Sequence, residues 1–542
     1  MEGGGEGALP PATMGDPATC QIGIIGMGDM GRLYALRLRD AGWQHVNVCD
    51  RPEKYEALQR EWEGTGLTVL RDGHLVSRQS DFIVYSVEAG NIHSVVKEYG
   101  PSTKVGAIVA GQTSVKAPER EAFETYLPRD VYIVSCHSLH GPHVDPRGQP
   151  LVLIQHRAPD EKMRLVERIL ACLESRYVYM SYDEHDTVTA NTQAVTHAAF
   201  LTMGTAWAQL QAYPWATGKN PGGMETVKIY LCLRIYGAKW HVYAGLALLN
   251  PQASVQVTQF AKSATALFQL MLEGRYDALA ARVMAARRSV FGWRDTEEGQ
   301  DVPGHTRILV SDGMLDEFYV IAERVSKGER GAQEAVRAAR EEPPPANSHL
   351  SLLAIVDCWH VLGIDPYRHL ELAATPVFRM WIGVTQNLFR SPERVLAACR
   401  AGVYDVSFRA DDLEFVVAAR GWAQAVQFGG FDVYRRRFEM TRAFFEPRLA
   451  ERTRSALKCC ASCRCETSAP APTVGMRPRC PSARPAASHT ATAAAHVADP
   501  PETEDDTAAI ARRAAAEAVA AHSRRTRAPV ARIETKTRCS AC

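Results

Sequence analysis

An apolar run, Ile22 to Ile25, is followed at once by Gly26-Met27-Gly28-Asp29-Met30-Gly31. No other feature of this 542-residue chain limits its fold so tightly. The run reads as a strand and the stretch from Asp29 onward as a helix, the context in which a G-x-G-x-x-G turn carries meaning. The first glycine permits the tight turn, the second lets backbone approach a pyrophosphate, and the third packs helix against strand. The helix N-terminus then offers unpaired N–H groups and a partial positive charge to the phosphates. A dinucleotide site built on Gly26, Met27, Gly28, Asp29, Met30 and Gly31 is expected.

From 21 to about 181, short apolar runs alternate with amphipathic stretches. Ile22–Ile25, Val46–Cys49, Phe82–Tyr85, Val105–Val109, Val131–Ser135 and Leu151–Ile154 read as strands, several apolar throughout as strands buried on both faces should be. Strand alternating with helix implies an α/β fold with a mostly parallel, Rossmann-type sheet. After about 182 the strand signal fades into long apolar helices, Asp183 to Ala212, Met224 to Leu249 and Ser254 to Leu272. Helices apolar nearly all round must be covered, and a second subunit is expected to cover part of them. The expected organisation is a flexible N-terminus (1–20), a dinucleotide domain (21–181), an all-helical substrate and dimerisation domain (182–295), polar connections (296–347), a helical C-terminal extension (348–449) and a disordered low-complexity tail (450–542). In that tail Ala, Arg, Pro, Ser and Thr dominate and large apolar residues nearly vanish.

The charge balance of 62 Lys+Arg against 61 Asp+Glu leaves +1, which supplies no general field for nucleic acid or an acidic membrane. No apolar run reaches the length of a membrane span, and the first residues lack both the apolar segment of a secretory signal and the Arg of a mitochondrial one. Cys20, Cys49, Cys136, Cys172, Cys232, Cys358 and Cys399 are scattered in mostly apolar surroundings and read as reduced thiols. A cytoplasmic protein without nucleic-acid or membrane partners is expected.

At the end of the second strand, Asp50 suits a ribose 2′-hydroxyl and so NAD, whereas Arg51 beside it suits a 2′-phosphate and so NADP. The pair alone leaves the cofactor open. Ser114 and Lys116 follow the strand Val105–Val109 at the carboxyl edge of the sheet, where such folds bind ligands. His137 follows Val131–Ser135 at the same edge, where an imidazole can take a proton from a substrate hydroxyl while hydride leaves the same carbon. Ser114 is placed to hold its other nitrogen. His140 and His143 lie nearby, but no further ligands follow at zinc-site spacing, so no metal is expected. Glu184-His185-Asp186 opens a helix on which Asp186, Ala190, Gln193 and His197 share a face, with Asp183 or Asp186 as its cap. Arg234 sits in the apolar stretch Leu231 to Tyr236 and needs an anion, from the protein or from a substrate.

The ordered set GIIGMGDMG (23–31), GHLVSRQSD (73–81), GQTSVK (111–116), HSLHGP (137–142), EHDTVTANTQAVTHAAF (184–200) and LRIYGAKWHVYAG (233–245) resembles the prephenate dehydrogenases, specifically their long fungal form. The likeness continues through NSHLSLLAIVD (347–357) and DDLEFV (411–416) to about Leu449. It implies oxidative decarboxylation of prephenate to 4-hydroxyphenylpyruvate, in tyrosine biosynthesis, by a homodimer. It implies that His137 polarises the C4 hydroxyl, Ser114 orients His137, Lys116 helps bind substrate and Arg234 holds a substrate carboxylate. Gln193, His197 and Tyr243 match positions near the substrate–nicotinamide cleft. The fungal members use NADP, which decides between Asp50 and Arg51. Where many bacterial members have Pro after the catalytic His, this chain has Ser138. The alternatives are an arogenate dehydrogenase, the same chemistry on an amino-acid side chain, and a redox sensor that binds dinucleotide without catalysis.

Overall fold

The computed structural model describes residues 15–216, 223–295, 301–302, 308–315, 317, 346–372 and 375–465. The chain divides into two compact units, Met1–Val474 and Gly475–Cys542, and the second lies outside the described residues.

The first half is one sheet of eight strands: β1 (Gln21–Ile25), β2 (His45–Cys49), β3 (Thr68–Val69), β4 (Phe82–Tyr85), β5 (Ile108–Gly111), β6 (Tyr132–Ser138), β7 (Pro150–Arg157) and β8 (Arg176–Tyr179). Their spatial order is β3-β2-β1-β4-β5-β6-β7-β8. All neighbours run parallel except β6 and β7, which are antiparallel. Helices α1 (Asp29–Asp40), α2 (Tyr55–Trp62), α3 (Gly73–Gln79), α4 (Ile92–Tyr99), α5 (Ala117–Tyr126) and α6 (Asp160–Leu170) connect the strands. Buried apolar clusters fill both faces, as the continuously apolar strands require. The expected strand Val105–Val109 is displaced: β5 starts at Ile108, because Gly106 turns with φ +73° and Val105 is 74% exposed. The short β3 and β8 escape sequence reading. The expected flexible segment is also shorter than 1–20, since Cys20 is buried and Gln44 N–H donates to the Pro17 carbonyl.

The second half is helical: α7 (Tyr182–Thr189), α8 (Val195–Gln209), α9 (Met224–Tyr236), α10 (Trp240–Leu248), α11 (Pro251–Leu272), α12 (Tyr276–Phe291), α13 (Leu350–Leu362), α14 (Pro366–Leu372), α15 (Pro376–Phe389), α16 (Pro392–Tyr404), α17 (Arg409–Gln427) and α18 (Phe431–Cys465). The expected single helix from Asp183 is interrupted by a π-helical turn, Ala190–Ala194. The Thr189 and Thr192 hydroxyls and the Asn250 amide donate to carbonyls beside that wider turn.

One apolar cluster runs from Val195 to Phe445, so the parts read as 182–295 and 348–449 share a single core. Helix α11 packs against both α13 and α17, and α18 against α9 and α10. Arg282 clamps the buried Asp357 through two bonds of 2.7 and 2.9 Å, tying α12 to α13. The apolar faces assigned to a second subunit are thus largely covered by the chain itself. Helix α18 also passes the expected start of the tail at 450 and reaches Cys465. The Glu, Arg, Ala, Leu and Lys that follow Leu449 are good helix formers, and extending an existing helix carries no nucleation cost. Most of 296–347 and all of 466–542 lie outside the described residues. Among the described residues no single helix is long and apolar enough to cross a membrane. The bent pair α13–α14 passes only by length and composition, and α13 is buried in the core.

Candidate active site

The Gly-rich turn has the shape its residues imply. Gly26 has φ +105°, and a Cβ there would strike the Ser86 carbonyl. A Cβ on Gly31 would strike the Gly26 carbonyl, so helix and strand touch there. A Cβ on Gly28 would meet nothing within 4 Å. This is the face left open for a pyrophosphate, at the start of a helix whose N-cap carries no side-chain bond. Met27 and Met30 turn their side chains into the domain core, which leaves only their backbone for a ligand. Asp29 points outward, 3.9 Å from Lys239 on the helical side.

Asp50 accepts from the Arg51 backbone N–H (2.7 Å) and from Lys54 Nζ (3.1 Å). Its carboxylate is therefore engaged locally, whereas the Arg51 side chain is exposed and makes no hydrogen bond or ion pair among the described residues. An open guanidinium at the end of β2 fits a 2′-phosphate.

His137 ends the buried part of β6 and is 7% exposed. Its Nδ1 lies 2.8 Å from Nε2 of His185 on α7, and His185 Nδ1 lies 2.9 Å from Asp186 Oδ1. Asp186 in turn accepts the Lys116 N–H at Oδ1 (2.8 Å) and the Ala117 N–H at Oδ2 (2.7 Å). It therefore caps α5 from across the chain. The cap of α7 itself is Ser181, in a capping box with Glu184, and neither Asp183 nor Asp186 serves there. Burial, with His185, Lys116 and His140 adding to it, lowers the His137 pKa well below the ordinary imidazole value. Burial and then Lys116 do the same for His185. Both rings are neutral at pH 7, and a neutral His137 is competent to accept a proton.

Two expectations change here. His137 Nδ1 is held by His185, and among the described residues Ser114 makes no hydrogen bond to His137. Lys116 is fully buried: its ammonium donates to Glu119 (2.8 Å), to the Gly111 carbonyl (3.0 Å) and to the Cys136 carbonyl (2.9 Å). Its three protons are spent inside the protein. It braces the loop beneath His137 and does not face the cleft. Ser138, the departure from the bacterial pattern, bonds the Tyr34 hydroxyl of α1 at 2.7 Å and so ties β6 to the helix of the Gly-rich turn.

A second cluster forms on the helical side. His197 on α8 meets Tyr243 on α10 edge to face, ring centroids 4.7 Å apart. Burial and then the Arg234 charge push the His197 pKa down to about 3. Burial raises the Tyr243 pKa while Arg234 opposes it, which places all three residues within mutual reach. His197 Nδ1 is buried without a hydrogen-bond partner among the described residues. Gln193, in the π-helical turn, lies on the segment joining this cluster to His185. His241 approaches Glu88 (3.5 Å), and Gly245 lies against Ala89, which brings α10 to the loop after β4. Sequence reading found every member of this cluster. It missed the role of His185, although an adjacent His-Asp pair opening a helix was the available signal.

Residues 21–110 match the family described as NADP oxidoreductase coenzyme F420-dependent, and residues 194–462 match a 6-phosphogluconate dehydrogenase C-terminal domain family. Over 437 residues the chain is 50% identical to the prephenate dehydrogenase [NADP(+)] of Saccharomyces cerevisiae, covering 80% of this chain and 92% of that one. It is likewise 50% identical over 436 residues to the probable prephenate dehydrogenase [NADP(+)] of Schizosaccharomyces pombe, covering 80% and 96%. Among solved structures it is similar to prephenate dehydrogenase from Aquifex aeolicus, with 19% identity and a TM-score of 0.40 over 48% of this chain and 94% of that one.

Proposed function

The chain belongs to the NADP-dependent prephenate dehydrogenases, and from that premise we propose that His137 is the base of its reaction and Arg234 the anchor of its substrate. The reaction is prephenate + NADP⁺ → 4-hydroxyphenylpyruvate + CO₂ + NADPH. The observation that carries the assignment is a buried, neutral His137 at the carboxyl edge of the sheet, near the Gly-rich turn.

NADP⁺, when bound, supplies the acceptor for the C4 hydride. Gly26 and Gly28 shape its pyrophosphate turn and Arg51 takes its 2′-phosphate. His137 takes the proton of the C4 hydroxyl at Nε2 as that O–H bond breaks. The ring carboxylate then leaves as CO₂, its electron pair completes the aromatic ring, and the proton returns from His137 to the phenolate oxygen. No net proton is left over. Arg234 holds a substrate carboxylate, with His197, Tyr243 and Gln193 around it. The orphaned His197 Nδ1 supports a polar ligand there. Ser114, half-buried at the loop above Lys116, keeps its hydroxyl for the substrate side. Positioning is the larger part of such catalysis, because aromatisation itself drives the decarboxylation.

A single spectrophotometric assay with prephenate or arogenate and NAD⁺ or NADP⁺ tests this reading. Turnover confined to arogenate would move the specificity to the amino-acid side chain, and absence of turnover with all four pairs would leave a binding protein.

The same proposal extends to a homodimer in the cytoplasm. The described cysteines are all free and six of the seven are buried, which supports a reducing compartment. Exposed Leu413 and Val417 on α17, and Val433 and Met440 on α18, support a second copy as their cover. Analytical ultracentrifugation decides the oligomeric state, and a monomer at micromolar concentration would refute the dimer.

A further inference from the structure

The bonds around His185 permit one arrangement of protons. Asp186 is a carboxylate that only accepts, and each of its oxygens already receives a backbone N–H, from Lys116 and from Ala117. The contact at 2.9 Å between Asp186 Oδ1 and His185 Nδ1 therefore requires a proton on His185 Nδ1. A neutral imidazole carries a single N–H, so His185 Nε2 holds a lone pair. That lone pair lies 2.8 Å from His137 Nδ1. Two lone pairs do not bond at that distance, so the proton of His137 sits on Nδ1.

We propose that His185, fixed by Asp186, locks His137 in the tautomer whose Nε2 is bare, which makes His185 a positioning residue for the base. The proposal deepens the reading of His137 given above and rests on it. Sequence alone offered Ser114 for this task. The geometry assigns it to a residue on α7, outside the sheet that carries His137.

The arrangement also prepares the site for the proton it receives. When His137 Nε2 is protonated, the ring becomes a cation whose Nδ1–H still points at His185 Nε2, and Asp186 backs that contact with negative charge. The other charges facing the pair are Lys116, paired with Glu119, and His140. The Lys116–Glu119 pair is neutral as a unit, so Asp186 is the uncompensated anion of the group. Burial keeps both rings neutral beforehand.

The test uses the full-length protein labelled with ¹⁵N-histidine, in which the imidazole nitrogens report which of them carries the proton. Signals are assigned by their loss in His137→Asn and His185→Phe. Wild type is expected to show His137 protonated at Nδ1 and bare at Nε2. His185→Phe should release that tautomer and lower kcat on the order of 10²-fold, with NADP⁺ affinity within about two-fold. His185→Gln, whose amide oxygen still accepts from Nδ1–H, should recover most of the loss. Wild-type His137 protonated at Nε2, or a His185→Phe enzyme with unchanged kcat, would overturn the proposal. If His185→Phe does not fold, the wild-type spectrum and the Gln variant decide. Turnover in His137→Asn would instead overturn the underlying assignment of the base. A dead His137→Asn beside a fully active His185→Phe would remove only the positioning role.

Discussion

The Lys116 ammonium lies 2.8 Å from Glu119 Oε2, and neither side chain has any exposed surface. A lysine at the carboxyl edge of a sheet reads as a ligand group until its burial is known. The pair predicts that Lys116→Met leaves the Michaelis constant for prephenate within about two-fold. Removing one partner strands Glu119 as a buried, uncompensated charge, at a cost of about 3–5 kcal/mol. Thermal unfolding and steady-state kinetics separate the two roles: a large rise in KM with an unchanged melting temperature would return Lys116 to the substrate site.

His137→Asn is expected to abolish turnover while NADP⁺ binding stays nearly intact. Asparagine keeps a donor but cannot accept the proton, and loss of a general base typically costs about 10²–10⁴ in rate. The pH profile follows from the direction of the shift. Burial lowers the pKa of His137, so the ring stays neutral and active at pH values where an ordinary histidine would be protonated. The acid limb of kcat/KM should lie below pH 6.5, the ordinary imidazole value. A limb at or above that value assigned to His137 would contradict its burial.

Arg234→Gln should raise KM for prephenate about ten- to a hundred-fold, since a charge-assisted bond to a carboxylate contributes roughly 1.5–3 kcal/mol. Cofactor affinity should change little. Calorimetric titration that finds NADP⁺ binding lost and substrate binding unchanged would place Arg234 elsewhere in the machinery.

Arg51→Ala should weaken NADP⁺ and spare NAD⁺, shrinking the preference by about ten-fold, the size of one charge-assisted contact. Specificity constants with both cofactors measure it, and an unchanged ratio means that another group holds the 2′-phosphate.

A chain cut after Cys465 should keep its melting temperature and its prephenate-dependent rate. The removed segment is rich in Ala, Arg, Pro, Ser and Thr and has too little apolar surface to offset the entropy of ordering it. A drop of several degrees would show that the tail belongs to the folded body.

What the sequence made legible was local chemistry at fixed spacing. The Gly-rich turn, His137 at a strand end and the His197–Arg234–Tyr243 set were all visible, because each depends on a short motif or on a costly polar residue in an apolar stretch. What stayed hidden depended on partners distant in sequence. Helical periodicity shows that α11 has apolar faces, but it does not show that α13 and α17 cover them. The spacing of Asp186, Ala190, Gln193 and His197 assumes an unbroken helix, and the π-helical turn at Ala190–Ala194 breaks that assumption. Likewise Val105 looked like a strand residue, although Gly106 beside it was the sign of a turn.

Asp186 closes the N-terminus of α5 in the sheet half and orients His185 in the helical half with the same carboxylate. Folding and readiness for chemistry are therefore the same event at this point in the molecule. A chain caught part-way, with its sheet formed and its helices undocked, would have a shaped turn for the nucleotide and a base without its acceptor. Such a chain would hold cofactor and leave it unreduced. The cell's supply of NADP⁺ is thereby drawn upon only by molecules that have finished folding.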